Sequence, residues 1–298
     1  MCPFLGPAVG PVFGSVITVR KSWRWTKWTL IFFAAFSTAL AAASQETLKR
    51  TILSRRAKSR GLTVSGGLSA KARLKTLLTV TLMRPLHMLF TEPIVAFFSI
   101  YIAFNFTTLF AFFAAFPYIF RTTYSFSTIA SGLVFISGGV GGILAIPTII
   151  LCDRHFYQYQ VRSVRACGKA GHVAPEYRLY PALGACLGLP LGLFWFAWTA
   201  RPDVHWISPV LAAATFSWGN STIFIAATAY LLDTYQARNG ASAMAASSLL
   251  RYIASAAFPL FVLRMYTALG VGWATSLSGF VSIALVPVPW VSFYFGAS

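Results

Sequence analysis

The stretch Pro93–Phe116 reads PIVAFFSIYIAFNFTTLFAFFAAF, 24 residues without a charge. As a helix it extends about 36 Å, more than the ~30 Å hydrocarbon core of a bilayer. Its apolar residues run continuously instead of alternating, so it reads as a membrane helix and not a barrel strand. Working outward, comparable runs recur, giving eight apolar segments at about 3–19, 26–44, 93–116, 127–151, 179–200, 206–232, 240–264 and 269–295. The fold class is therefore all-α, a polytopic membrane protein expected to have eight transmembrane helices. The first segment does not read as a signal peptide, because its bases, Arg20 and Lys21, follow the apolar run.

Composition excludes the alternatives. Of 298 residues, 57% are hydrophobic and only 10% charged, where a water-facing domain carries about 25% charge. Mean hydropathy is +0.69. A disordered chain and a small disulfide scaffold are ruled out on the same grounds. Cys2, Cys152, Cys167 and Cys186 form no CxxC pair. The four histidines make no ligand cluster, and there is no phosphate-binding or dinucleotide motif. No metal, no cofactor and no enzyme chemistry are expected.

The net charge of +18, from 24 Lys and Arg against 6 Asp and Glu, would suggest nucleic acid in a soluble chain. Here the bases lie between apolar runs, which makes them topology signals and the bilayer the expected partner, with no nucleic acid. Ten fall in 45–92 and five in 153–178. Placing 45–92 in the cytosol and alternating gives 16 bases on that side and seven on the other, in accord with the excess of cytosolic Lys and Arg in membrane proteins. The Arg20–Lys27 cluster runs against this assignment.

Polar groups within the segments are candidate cavity residues. Asn105 lies among Tyr101, Phe104, Phe106, Phe112 and Phe116; Asn220 and Tyr230 lie in the sixth segment, and Arg251 in the seventh. An arginine in hydrocarbon is costly unless it faces a bundle interior, snorkels or pairs. Asp233 is its expected partner in a structural tie, and a substrate or coupling role is the other reading. Gly6, Gly10 and Gly14 recur every four residues beside Pro7 and Pro11, a pattern for close helix packing or a gating hinge. Gly138 and Gly142 do the same in the fourth segment, which ends at Asp153 and Arg154, where a charge network could latch one side or the helix could simply stop.

These motifs in order resemble the major facilitator superfamily, and more narrowly its fungal drug–proton antiporters and polyamine exporters. Gly6-Pro7-x-x-Gly10-Pro11-x-x-Gly14 is similar to the antiporter motif of the fifth family helix, with Ser15 in place of a glycine. Trp23-Arg24-Trp25 resembles the element before helix six, and Gln45-Glu46-Thr47 with Ile52-Leu53 and Arg55-Arg56-Ala57 resembles the opening of the central loop. Arg84-Pro85 through Glu92-Pro93-Ile94, Pro175-Glu176-Tyr177-Arg178-Leu179, Gly192 through Thr199, Val204 through Ile207, Tyr230-Leu231-x-Asp233-x-Tyr235 and Ala256 through Phe261 resemble later elements in sequence.

The resemblance implies alternating-access export of drugs, organic cations or polyamines, with a proton gradient as coupling source. It implies residues 1–45 as the last two helices of an N-terminal half, 46–92 as the basic cytoplasmic linker and 93–298 as a six-helix C-terminal half. Family helices one to four are then missing, and a complementing N-terminal half is a possible partner. The plasma membrane is the expected location, the vacuolar membrane the second. The competing expectation is a truncated fragment or membrane scaffold without autonomous transport.

Overall fold

The computed structural model describes residues 2–44, 49–60, 79, 83–166 and 174–295. Among them the secondary structure is helical throughout. The helices are α1 (Cys2–Arg20), α2 (Trp23–Ala43), α3 (Lys49–Ser59), α4 (Arg84–Thr91), α5 (Pro93–Thr123), α6 (Thr128–Leu133), α7 (Ile136–Cys152), α8 (Gln158–Ala166), α9 (Tyr180–Thr199), α10 (Ile207–Ala257), α11 (Pro259–Leu285) and α12 (Pro287–Phe295). A π-helical turn, Asp153–Tyr157, joins α7 to α8, and a 3-10 turn, Pro175–Leu179, precedes α9. α5, α11 and α12 each begin on a proline, which suits the first turn because its N–H would be unpaired there anyway.

The chain forms two compact units, Met1–Val16 with Met83–Ser298, and Ile17–Leu82. Within the second unit no residue of α2 is buried, and Phe32, Phe33, Phe36 and Leu40 are all exposed. Six helical stretches among the described residues are long and apolar enough to cross a bilayer: Trp23–Ala43, Pro93–Thr123, Thr128–Ser163, Pro175–Thr199, Ile207–Tyr235 and Pro259–Tyr294. The protein is thus all-α, integral and multi-pass.

The helical run α10 is 51 residues long, far beyond what a bilayer requires, yet it is not straight. Along a straight helix Arg251 would stand about 40 Å from Phe224; its guanidinium carbon lies 5.2 Å from that ring. A Cβ at Gly240 would sit 3.6 Å from the Leu232 side chain, eight residues back. The run therefore doubles back between Leu232 and Gly240, where the sequence separates its sixth and seventh segments. α11 turns in the same way. The Tyr266 and Thr275 hydroxyls are 2.9 Å apart across Gly270, whose φ of 74° and ψ of 165° belong to a region that is essentially glycine-only.

The core of the first unit is aromatic. Phe112 of α5 contacts Phe116, Phe196 of α9 and Phe216 of α10 with ring centroids 4.7, 5.4 and 5.0 Å apart. Glycines bring the backbones that carry these rings together. A Cβ at Gly192 would fall 2.5 Å from the Phe216 amide nitrogen and 2.8 Å from its Cα. One at Gly188 would strike the Trp218 ring at 2.6 Å, and one at Gly219 would lie 2.9 Å from the Leu189 nitrogen. On α7, a Cβ at Gly141 would collide with the Ala214 carbonyl and Ser217. The Ser217 hydroxyl donates to the Gly138 carbonyl at 2.7 Å, and Trp218 Nε1 donates to Thr148 Oγ1 at 3.0 Å.

The regular glycines of α1 behave otherwise. A Cβ at Gly6, Gly10 or Gly14 meets no heavy atom within 4 Å. The contact face of α1 is instead Ala8, Pro11 and Ser15, and the small residues that admit it are on the facing helices: Gly139 against Ala8 and Gly132 against Pro11 and Ser15. The close packing read from the four-residue spacing is therefore corrected to a neighbouring face, because spacing marks a stripe and not the side that finds a partner.

Two stability predictions follow from these contacts. Gly192→Ala should destabilise the protein by about 1–3 kcal/mol, the cost typical of overpacking, while Gly10→Ala should leave the melting temperature unchanged or slightly raised; thermal unfolding followed by size-exclusion in detergent reads both. Gly270→Ala should cost about 1–3 kcal/mol from its backbone conformation alone, with no Cβ clash to relieve, so enlarging neighbouring space by Leu269→Ala should not rescue it.

Candidate functional site

Two polar assemblies stand out in the first unit. The first gathers three helix ends around Arg178. Its Nε donates to Asp233 Oδ2 at 2.9 Å, and its Nη1 donates to Asp153 Oδ1 at 3.2 Å. The guanidinium also lies 3.8 Å from the Tyr157 ring centroid. Asp153 opens the π-helical turn, so the extra backbone residue there places Tyr157 under the arginine; Gln158 Nε2 donates to the free side of Asp153 at 3.0 Å. Asp233 stands just before the bend of α10. At the same end the Tyr235 hydroxyl donates to Glu92 at 3.2 Å, and Arg84 hydrogen-bonds Asn239.

The side chains of Arg178, Asp153 and Asp233 retain 32%, 34% and 40% of their exposure. Ion pairs this wet are individually weak, about 0–1 kcal/mol. Their value lies in geometry: one cation ties the end of α7, the turn before α9 and the end of α10's first leg, and water can replace it when those ends separate.

The second assembly surrounds Arg251, which is 8% exposed. Its Nη2 donates to Ser248 Oγ at 3.3 Å and Tyr252 Oη at 3.4 Å, while Nε has no hydrogen-bond partner among the described residues. Its guanidinium carbon lies 4.6 Å from the Phe106 ring centroid, 5.2 Å from Phe224 and 4.9 Å from Tyr252. Three rings from α5 and both legs of α10 thus hold the cation through their negative faces. Asn105 adjoins Phe106 and Asn220 lies one turn before Phe224; both are buried, with amide oxygen and nitrogen unpaired among the described residues. Buried amides in native proteins are nearly always satisfied, so these two retain capacity for a further polar contact.

The structure corrects the expected tie between Arg251 and Asp233. Asp233 belongs to Arg178, and Arg251 is held by rings and neutral hydroxyls. The reason is the direction of the bend: it brings Arg251 back to the level of Phe224, roughly nine residues and ~13 Å along the helix from Asp233. Asp153 is latched, but by Arg178; Arg154 is exposed. Sequence reading passed over Arg178 as a site residue. The available signal was a solitary arginine three residues after a proline, at the threshold of an apolar run.

The other expected residues separate by environment. Tyr101 is fully buried, its hydroxyl unpaired among the described residues. Tyr230 is buried against Phe98, with ring centroids 5.0 Å apart. Phe112 and Phe116 belong to the aromatic core and, with Pro7, Ala8 and Phe135, line a small apolar cavity of about 30 Å³. Gly138 accepts the Ser217 bond, and Gly142 is buried in α7. The described residues hold no cluster of metal-ligating side chains. At the far end of the unit, the Tyr124 hydroxyl donates to the Thr199 carbonyl at 3.1 Å. Burial pushes its pKa up, and the Asp203 carboxylate adds to the shift, so it remains a donor at neutral pH.

The chain matches, over residues 1–259, the family described as Major Facilitator Superfamily. It is 37% identical to the Saccharomyces cerevisiae protein named polyamine transporter 4, over 98% of this chain and 48% of that protein. It is 39% identical to efflux pump FUB11 of Gibberella moniliformis, over 99% of this chain and 50% of the pump. It is 36% identical to the major facilitator superfamily multidrug transporter mdrA of Aspergillus fumigatus, over 99% of this chain and 49% of the relative. The chain spans about half the length of these curated relatives. No solved structure matches.

Arg178→Ala should loosen this end more than either carboxylate change alone, because it leaves two acids facing each other. A double-mutant cycle on Arg178 and Asp233 should return a coupling of about 0.5–1 kcal/mol at low salt, shrinking in 1 M salt. A salt-independent coupling would contradict the exposed-network description.

Proposed function

Because the chain belongs to the major facilitator superfamily, we propose that it acts in transmembrane export of small organic molecules, namely drugs, organic cations or polyamines, driven by a proton gradient. The observation that carries this reading is the Arg178 bridge. Alternating access needs helix ends that close on one side and part on the other. A single, water-accessible arginine shared by Asp153 and Asp233 is a closure of that kind, weak enough to open and specific enough to reform. The relatives' names, a polyamine transporter, an efflux pump and a multidrug transporter, support the substrate range.

The basic 46–92 segment would lie in the cytosol with the Arg178 end, and the opposite end, with Tyr124 and Arg201, outside it. The plasma membrane is the first location under this proposal and the vacuolar membrane the second. Lipid covers the exposed apolar side chains of the spans, and an N-terminal half-transporter is the polypeptide partner this reading would accept. No cofactor is invoked, since the proton gradient supplies the work.

Proteoliposomes with an acidic lumen should accumulate labelled spermidine or a labelled drug, and a protonophore should abolish the accumulation. Asp233→Asn should reduce the rate at least about threefold, on the scale of one lost ion pair, without preventing insertion. Correctly inserted protein showing no gradient-dependent flux would overturn autonomous transport by this chain.

A further inference from the structure

We propose that Arg251, with Phe106, Phe224 and Tyr252, forms a binding subsite for an aromatic organic acid. The proposal rests on the transport reading and, of its substrate classes, favours acidic aromatic drugs over organic cations and polyamines.

The first argument is charge balance. Arg251 is 8% exposed, and no carboxylate among the described residues pairs with it. Asp153 and Asp233 are engaged by Arg178, and Glu92 accepts from Tyr235. Glu176 lies in the 3-10 turn beside Arg178, and Asp203 in the link between α9 and α10. A cation in an apolar span is expensive, and the usual remedy is an opposite charge. Here the rings at 4.6, 4.9 and 5.2 Å stabilise the guanidinium without neutralising it.

The second is hydrogen-bond capacity. A guanidinium has five N–H groups in a fixed fork matched to a carboxylate. Arg251 spends Nη2 on two long contacts with neutral hydroxyls, and its buried Nε is unpaired. Asn105, beside Phe106 in sequence, and Asn220, one turn before Phe224, are buried with amides unpaired among the described residues. An unspent donor on a charged fork is what a carboxylate recognises.

The third is shape and access. Phe106, which lies 6.3 Å from Phe224 and from Tyr252, offers a flat apolar surface to a second planar ring, and Tyr252 is exposed, so the group is not sealed. A polyamine meets the opposite situation: the described spans hold no deep carboxylate for it, and Arg251 repels it. Bidentate pairing would supply orientation, and stacking on the rings would supply apolar contact.

The test is equilibrium binding to the full chain in phosphatidylcholine nanodiscs, with no pH gradient, using 2-naphthoate, its neutral counterpart 2-naphthamide, and spermidine. Naphthoate should bind at least about tenfold tighter than naphthamide. Arg251→Gln should remove that preference while leaving naphthamide within about twofold, and Arg251→Lys should keep part of it, since the charge survives and the fork does not. Should Arg251→Gln fail to fold, the partial loss in Arg251→Lys carries the test. Equal binding of acid and amide, a preference that survives Arg251→Gln, tighter binding of spermidine, or no binding of naphthoate would each overturn the subsite. Because binding is read without a gradient, equal binding of acid and amide by the unsubstituted chain, with gradient-driven flux intact, sinks the subsite alone.

Discussion

Backbone approach at glycine sets the packing of the first unit. Lipid tails are as apolar as leucine, so nothing like the hydrophobic effect in water drives two apolar helices together inside a bilayer. Close van der Waals contact has to do it. Gly141, Gly188, Gly192 and Gly219 each sit where a Cβ would strike a neighbouring backbone or ring. Remove that intimacy and α7, α9 and the first leg of α10 separate. The ring cluster around Phe112 then loses its edges, and the turn that carries Arg178 no longer meets Asp153 and Asp233.

The same solvent logic sorts the polar groups. Among the described residues, ion pairs occur only at helix ends, where water can share the desolvation cost and where the bonds can break. Arg251, buried among rings, is the exception in depth and in chemistry. The two assemblies differ in kind: in one a part-exposed arginine is shared by two carboxylates, and in the other a buried cation has no carboxylate partner among the described residues.

Much of this was legible in the sequence because hydropathy speaks to length and continuity. The run 93–116 shows as unbroken apolar sequence and the bend between 232 and 240 as a gap between two segments, and the folded-back geometry at Leu232–Gly240 follows that gap, whereas the turn at Gly270 falls just inside the last segment. What hydropathy omits is azimuth. Gly6, Gly10 and Gly14 make a perfect stripe, yet Ala8, Pro11 and Ser15 make the contact, because which side of a helix is used depends on what stands opposite. Gly184, Gly188 and Gly192 make an equally regular stripe, and there the last two do meet a neighbouring helix, while Gly219 belongs to no such repeat. Arg178 was hidden for a related reason: its partners lie 25 and 55 residues away, and no local pattern announces a bond of that span.

Arg251 shows where sequence reasoning goes further than it first seems to allow. A buried arginine raises the demand for a counter-charge, and proximity in sequence nominated Asp233. The demand was sound and the nomination was not, since the second leg of α10 carries Arg251 back past the helix end to the depth of Phe106 and Phe224. With every described carboxylate placed elsewhere, the unmet demand passes from the chain to what the chain binds. Three aromatic rings can keep a guanidinium charged in an apolar setting but cannot cancel its field, so selectivity for negative charge persists at that depth and polyvalent cations are disfavoured there. Any cation-exporting activity would have to draw its acidic groups from outside the described spans, whereas an aromatic acid finds both its charge and its ring accommodated by residues already in contact with one another.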